Sequence, residues 1–124
     1  MGDDAPAALV EIVRRWADDP SLLVQRAAVA AICEPRLLKA EGAAAVAVDL
    51  CGRCTLHLVG LPLAERAGSD ARTLRQALGY AWSVAVAADP GPGLGAFRDL
   101  DTSDPDVGWI VKENLRKKRL ARLL

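Results

Sequence analysis

A helix pattern that occurs twice is the feature that most constrains the fold of this chain. In each copy an Asp-Pro pair precedes two apolar residues that are separated by seven others: Asp19-Pro20 with Val24 and Ile32, and Asp104-Pro105 with Val107 and Leu115. Val24 and Val107 lie 83 positions apart. That distance equals two periods of about 41 residues, which falls within the repeat length of solenoids built from helix pairs. The sequence therefore predicts stacked helix pairs.

The composition supports an all-α fold. Hydrophobic residues make up 52% of the 124 residues, but aromatic residues make up only 4%, so the apolar side chains are mostly Ala, Leu and Val. Ala and Leu are among the strongest helix formers, and the small Ala side chain lets helices approach closely. No alternating run of β-branched and aromatic residues is long enough to predict a sheet. The length is typical of one domain, so residues 1–124 are predicted to form a single helical-repeat domain.

Pro, Gly and Asp residues divide the chain into six predicted helices. They cover approximately residues 6–17, 21–33, 41–60, 71–88 and 94–100, and the sixth begins after Asp104-Pro105 and continues almost to the C-terminus. Residues 35–39 are predicted to form a connector, and the Pro- and Gly-rich residues 89–93 a loop. Consecutive helices would pair into three antiparallel hairpins, about the minimum for a stable solenoid. The inward face of the first helix is predicted to consist of Leu9, Ile12, Val13 and Trp16.

Arg26 is the one charged residue in the second predicted helix between Leu22 and Cys33. Because that helix is apolar on nearly all sides, it is predicted to be buried, and Arg26 with it. A buried charge without a partner costs several kcal/mol. We therefore expect Arg26 to be a structural buried charge that is paired with a carboxylate: Asp19, Asp49 or Asp70.

Three interpretations compete for the cysteines, Cys33, Cys51 and Cys54, and the single histidine, His57. They could form a tetrahedral zinc site, the sequence 51–54 could be a thioredoxin-type redox motif, or the cysteines could be buried free thiols. On one continuous helix, Cys51 and Cys54 share the apolar stripe, while Asp49 and Arg53 lie on the other side at the spacing of a solvated ion pair. This geometry favours buried thiols. We expect no catalytic residue, metal or cofactor.

The C-terminal segment combines basic and apolar side chains. Residues 112–124 carry six basic residues against Glu113 alone, although the whole chain has a formal net charge of zero. The core stripe of the sixth helix is predicted to consist of Val107, Ile110, Val111 and Leu115. A second stripe lies roughly opposite and is bordered by two basic residues: Trp109, Leu120 and Leu124, with Arg116 and Lys117.

Apolar residues on the outer side of a last solenoid helix indicate a docking face for a partner protein, because a terminal helix should otherwise be polar outside. Two alternatives stay open. One is a solvated basic terminus with scattered leucines. The other is contact between Lys112–Arg122 and nucleic-acid phosphates.

Two segments resemble the motifs of bacterial HEAT-repeat proteins: Asp19-Pro20 through Val24-Gln25-Arg26-Ala27-Ala28-Val29, and Asp104-Pro105 through Trp109-Ile110-Val111-Lys112-Glu113-Asn114-Leu115. Residues 41–88 match only by their helical pattern. The resemblance implies an armadillo-type fold, a right-handed α-solenoid of about three HEAT-like antiparallel helix pairs, whose surface recognises proteins or, in some branches, nucleic acids. Arg26-Ala27-Ala28 also resembles one such branch, the DNA alkylation-repair HEAT-like proteins.

The function predicted from these observations is a noncatalytic protein-interaction or scaffold module. The alternative is a nucleic-acid-binding HEAT-like protein. The acidic N-terminus lacks the apolar region of a secretory signal, and no apolar stretch reaches the ~20 residues needed to cross a bilayer. A soluble, cytoplasmic protein is therefore expected.

Overall fold

The computed structural model describes residues 4–124 of the chain. In that range it contains helices and no strand, so the predicted all-α class is confirmed. The helices are α1 (Asp4–Ala17), α2 (Leu22–Ile32), α3 (Pro35–Leu38), α4 (Ala43–Val59), α5 (Leu63–Arg66), α6 (Ser69–Ala88), α7 (Pro90–Arg98), α8 (Pro105–Leu115) and α9 (Lys118–Ala121). None of the described helices is long and apolar enough to span a membrane.

The six longer helices correspond to the six predicted segments, but two of their boundaries differ. Helix α7 begins at Pro90, so the predicted loop forms its first turn instead. A proline is tolerated there because the first N–H groups of a helix have no partner within it. The sixth predicted helix ends early, at Leu115, because Lys117 adopts an extended conformation before α9.

Helices α4 and α6 pack on each other and on most of the other longer helices. Helix α4 also contacts α1, α2 and α7, and α6 also contacts α2, α7 and α8. The predicted pairs α1 with α2 and α4 with α6 are packed, whereas α7 packs on α6 and α4 rather than on α8, so the third predicted hairpin does not form a packed pair. Helix α6 is therefore the central element, with neighbours on most of its sides.

The core is centred on the packed helices α4 and α6, and its buried polar side chains are hydrogen-bonded. Trp82 of α6 is 1% exposed, and its indole Nε1 donates a hydrogen bond to Thr55 Oγ1 at 3.1 Å. That hydroxyl in turn donates to the carbonyl of Cys51 at 2.7 Å. Phe97 of α7 packs against Trp82, with the two ring centroids 5.9 Å apart, and so attaches α7 to the core. Burying one such large apolar side chain contributes roughly 1.5–3 kcal/mol.

Gly93 allows α7 to approach α6 closely. A Cβ atom at this position would lie 3.0 Å from the Cα atom of Val86, so tight a contact that the two helices would have to move slightly apart. Gly93, which was predicted to lie in a loop, therefore allows two helices to pack closely.

The two copies of the repeated pattern form helices of equal length, α2 and α8, each of 11 residues. Their defining residues are nevertheless not equivalent, and that prediction is wrong. Ile32 is fully buried whereas Leu115 is 43% exposed, and Val24 is half-buried whereas Val107 is buried. The buried positions that correspond are 82 residues apart instead: Gln25, Ala28 and Ile32 with Val107, Ile110 and Asn114.

The difference in register begins at the helix caps. Ser21 caps α2, so Pro20 precedes the cap, and Asp19 Oδ1 accepts a hydrogen bond from the Ser21 N–H. In the second copy Asp104 is itself the cap, and Pro105 is the first helical residue. The same dipeptide therefore starts the two helices at different points.

Candidate binding surface

The structure separates the residues that the sequence assigned to a C-terminal docking face. Trp109 is 37% and Leu124 57% exposed, Arg116 is exposed and Lys117 half-buried. Leu120 is fully buried, so its assignment to that face is wrong. Because the chain turns at Lys117, α9 folds back onto α6 and carries Leu120 into the core.

Arg26 is exposed, and the prediction of a buried charge is wrong. The buried polar residue of α2 is its neighbour Gln25, which is 4% exposed. The Gln25 side chain donates from Nε2 to the carbonyl of Asp19 at 2.9 Å, and its Oε1 lies 3.2 Å from Nδ1 of His57. A shift of one residue rotates a helical position by about 100°, which moves the charge from the core to the surface.

The exposed Arg26 belongs to a surface that joins α2, α6 and α9. Arg26 and Tyr80 line the same depression of about 350 Å³ between α2 and α6. Tyr80 is 49% exposed. The Lys117 Nζ atom lies 5.9 Å, and the Arg119 Cζ atom 5.3 Å, from the centroid of its ring. We call Arg26, Tyr80, Lys117 and Arg119 the basic surface.

One carboxylate also lines this depression. Glu34 is turned toward its own backbone, because its Oε2 accepts hydrogen bonds from the N–H groups of Arg36 and Leu37 and caps α3. Next to the basic surface, Arg116 pairs with Glu113 at 3.3 Å. Arg26, Lys117 and Arg119 therefore leave the basic surface positive.

Trp109 has a structural role besides its exposed edge. Its ring lies against Gly79 of α6, where an added Cβ would come within 2.8 Å of the Trp109 Cζ3 atom. The guanidinium carbon of Arg75 lies 5.3 Å from the centroid of the ring. The indole therefore locks α8 against α6.

An ion-pair network that sequence reasoning missed fixes the start of α8. Asp104 Oδ2 lies 2.7 Å from Arg66 Nη1, and Asp106 Oδ1 lies 2.8 Å from Arg75 Nη1. Burial favours the neutral form of Asp104, but hydrogen bonds from Arg66 and from the N–H groups of Val107 and Asp106 outweigh it and lower the pKa of Asp104. The charged sequence Asp-Pro-Asp was the available signal. This network fixes the N-terminal end of α8 against α5 and α6.

The thiols lie in the core, as predicted for Cys51 and Cys54. Burial raises the pKa of Cys54 to about 12. A hydrogen bond with Cys33 and burial raise the pKa of Cys51 well above its ordinary value. The predicted ion pair between Asp49 and Arg53 is also confirmed, at 2.9 Å.

His57 does not join the thiols, because its ring nitrogens lie near Gln25 and Asp18. In the part of the chain that the structure describes, no three His, Cys, Asp or Glu side chains are grouped so that they could hold a metal ion. The zinc interpretation therefore gains no support from the geometry.

The inward face of α1 differs from its prediction. Val13 is buried, but three residues predicted to face inward are about two-fifths exposed: Leu9, Ile12 and Trp16. Their places in the core are taken by Ala17 and, in part, by Val10. The inward stripe of α1 is therefore narrower than the sequence indicated.

Comparison of the chain with models of known families, with curated proteins and with solved structures finds no match. The function of the chain is therefore inferred from its surfaces.

Proposed function

We propose that this chain is a noncatalytic, HEAT-like α-solenoid module that binds an acidic segment of a partner protein. In a stack of three helix pairs, the first helices of the pairs form one layer and the second helices the other. Helix α1 packs on α2 and α4 on α6, while α4 also contacts α1 and α7, and α6 also contacts α2 and α8. The two packed pairs and these neighbours support the solenoid assignment.

The arrangement of cations around Tyr80 carries the proposal. Lys117 and Arg119 both lie within cation–π distance of its ring, an interaction that contributes about 0.5–1 kcal/mol at exposed sites. The ring therefore restrains two cations without neutralising them. Arg26 lines the same depression between α2 and α6 as Tyr80. A segment with several Asp or Glu side chains would find complementary charge here.

The same cations support the alternative, a nucleic-acid-binding HEAT-like protein that uses Lys112–Arg122. Proteins that bind single strands stack bases on aromatic rings. The two exposed aromatic rings of α6 and α8 already have cations near them: Tyr80 has Lys117 and Arg119, and Trp109 has Arg75. Phosphate contacts remain available, but base stacking is not favoured. We therefore place the acidic protein segment first.

A binding experiment separates the two functions. A labelled peptide rich in glutamate and a labelled oligonucleotide of similar charge are titrated with the wild type and with the double variant Lys117→Glu/Arg119→Glu. We expect the variant to bind the peptide about tenfold more weakly, since each lost cation contributes up to about 1 kcal/mol at a surface. Lys39→Glu, an exposed cation at the end of α3, is the matched control.

Two results would contradict the proposal. Equal peptide binding by the wild type and the double variant would show that the basic surface is not the site. Oligonucleotide binding that falls steeply with added salt, without peptide binding, would favour the nucleic-acid alternative. Trp109→Ala and Leu124→Ala then test whether the predicted docking residues extend the site.

A further inference from the structure

A second groove lies between α4 and α7. It has a volume of about 520 Å³. Its apolar lining comes from both helices and from α6: Ala45, Val48, Gly52, Leu56, Trp82, Pro92, Ala96 and Leu100. Leu56, at one side of the groove, is 71% exposed, so apolar surface continues outward from it.

Gly52 lines the groove beside Trp82. A Cβ atom at Gly52 would meet the Cη2 atom of Trp82 at 3.9 Å, an ordinary contact. A longer side chain at position 52 would therefore take up space beside the indole.

Carboxylates surround this apolar lining. Asp49, Asp89 and Asp99 line the groove, and Arg53 is the basic residue among them. Arg53 is already shared by two carboxylates, Asp49 at 2.9 Å and Asp18 at 3.0 Å. Asp99 ends α7, where the helix dipole disfavours a negative charge. Asp89 is the N-cap residue of α7, where the helix dipole favours a negative charge, but its side chain makes no capping hydrogen bond. The groove is thus acidic.

We propose that this groove binds a basic peptide segment of a partner protein, with one aliphatic side chain inserted beside Trp82 and flanking Lys or Arg residues near Asp89 and Asp99. The occupant follows from the two properties of the lining. The apolar floor selects the aliphatic side chain, and the uncompensated carboxylates select the flanking cations. This site is distinct from the basic surface, which would bind the opposite charge.

A labelled synthetic peptide in which lysines flank a central leucine tests the proposal by fluorescence anisotropy. Two peptides serve as controls, one with glutamates in place of the lysines and one with serine in place of the leucine. We expect only the first peptide to bind, with an affinity that falls as salt is added. Equal binding of the lysine and glutamate peptides, or of the leucine and serine peptides, would overturn the proposal.

Gly52→Leu places a side chain in the groove: its Cβ atom would meet Trp82 only at an ordinary contact distance, and leucine is a better helix former than glycine within α4. We expect peptide affinity to fall about tenfold or more in this variant. Gly95→Leu is the matched control, since a Cβ at Gly95 would meet no atom within 4 Å and this residue does not line the groove. Unchanged binding by Gly52→Leu would refute the site.

The double variant Asp89→Asn/Asp99→Asn tests the charge separately, and binding equal to that of the wild type would refute the role of the carboxylates. A second copy of this chain is the competing occupant, because its C-terminal segment is basic. If a second copy occupies the groove, the mass measured by sedimentation will rise with protein concentration for the wild type but not for Gly52→Leu. That result would overturn the proposal of a separate partner.

Discussion

Replacing Asn114 with alanine is expected to destabilise the protein by about 3 kcal/mol. Asn114 is fully buried in α8, and its side chain joins α8 to α6. Its Oδ1 accepts a hydrogen bond from the Ser83 N–H at 2.8 Å. Its Nδ2 donates to the carbonyls of Leu78 at 2.9 Å and Ile110 at 2.7 Å.

The magnitude follows from these three bonds. Each intramolecular hydrogen bond contributes about 1 kcal/mol net, and burying the groups that remain without partners adds to the loss. A loss of about 3 kcal/mol is a large part of the 5–15 kcal/mol that stabilises a typical domain. Asn114→Asp has nearly the same shape but points an acceptor at the two carbonyls, so it should be at least as destabilising.

Urea unfolding followed by circular dichroism measures the effect. The midpoint should fall while the slope stays unchanged, because the substitution alters stability and not the area exposed on unfolding. Gln76→Ala removes an exposed amide from α6 and should change stability by less than about 0.5 kcal/mol. A loss below about 1 kcal/mol in Asn114→Ala would refute the idea that this side chain locks α8 in place.

Three further outcomes are expected. Gly79→Ala should destabilise the protein and shift tryptophan emission, because its Cβ would lie 2.8 Å from the Trp109 ring; unchanged emission would contradict this packing. The three buried thiols should react with a disulfide reagent only after unfolding, since the pKa of Cys54 is raised to about 12; rapid reaction in the native protein would count against burial. The pKa of Asp104 is lowered from its ordinary value of 3.8, so its contribution to stability is present above that pH and is lost as pH falls further. Asp104→Asn should therefore show a smaller drop in melting temperature on acidification than the wild type.

The sequence predicted the longer helices because their limits depend on local chemistry. Pro20, Pro105 and Gly60 act on the backbone next to them, so their effects can be read without knowing what packs nearby. The burial of Cys51 and Cys54 followed in the same way from their position on an apolar stripe.

Local chemistry did not determine which faces of α2 and α8 are buried. A shift of one residue turns a helix by about 100°, and several faces of α2 are apolar enough to be buried. Contacts with α6 choose among these faces, which is why Gln25 is buried and Arg26 is exposed. The basic surface depends on that choice.

The burial of Leu120 was missed for a different reason. No proline or glycine interrupts the sequence between Leu115 and Leu124, so a continuous helix was the natural prediction. Packing of α9 on α6 makes the chain turn at Lys117 instead. The acidic groove was likewise missed, because α4 and α7 are distant in sequence.

The composition of α7 has a consequence for motion. Gly91, Gly93 and Gly95 each disfavour a helix by up to about 1 kcal/mol relative to alanine, so α7 keeps its shape mainly through Phe97 and its contacts with α6 and α4. Its amide hydrogens should exchange with solvent sooner than those of α6, because a segment with so little intrinsic preference for its conformation opens before the rest unfolds. The side of the acidic groove that α7 forms would then be the first part of the molecule to open transiently.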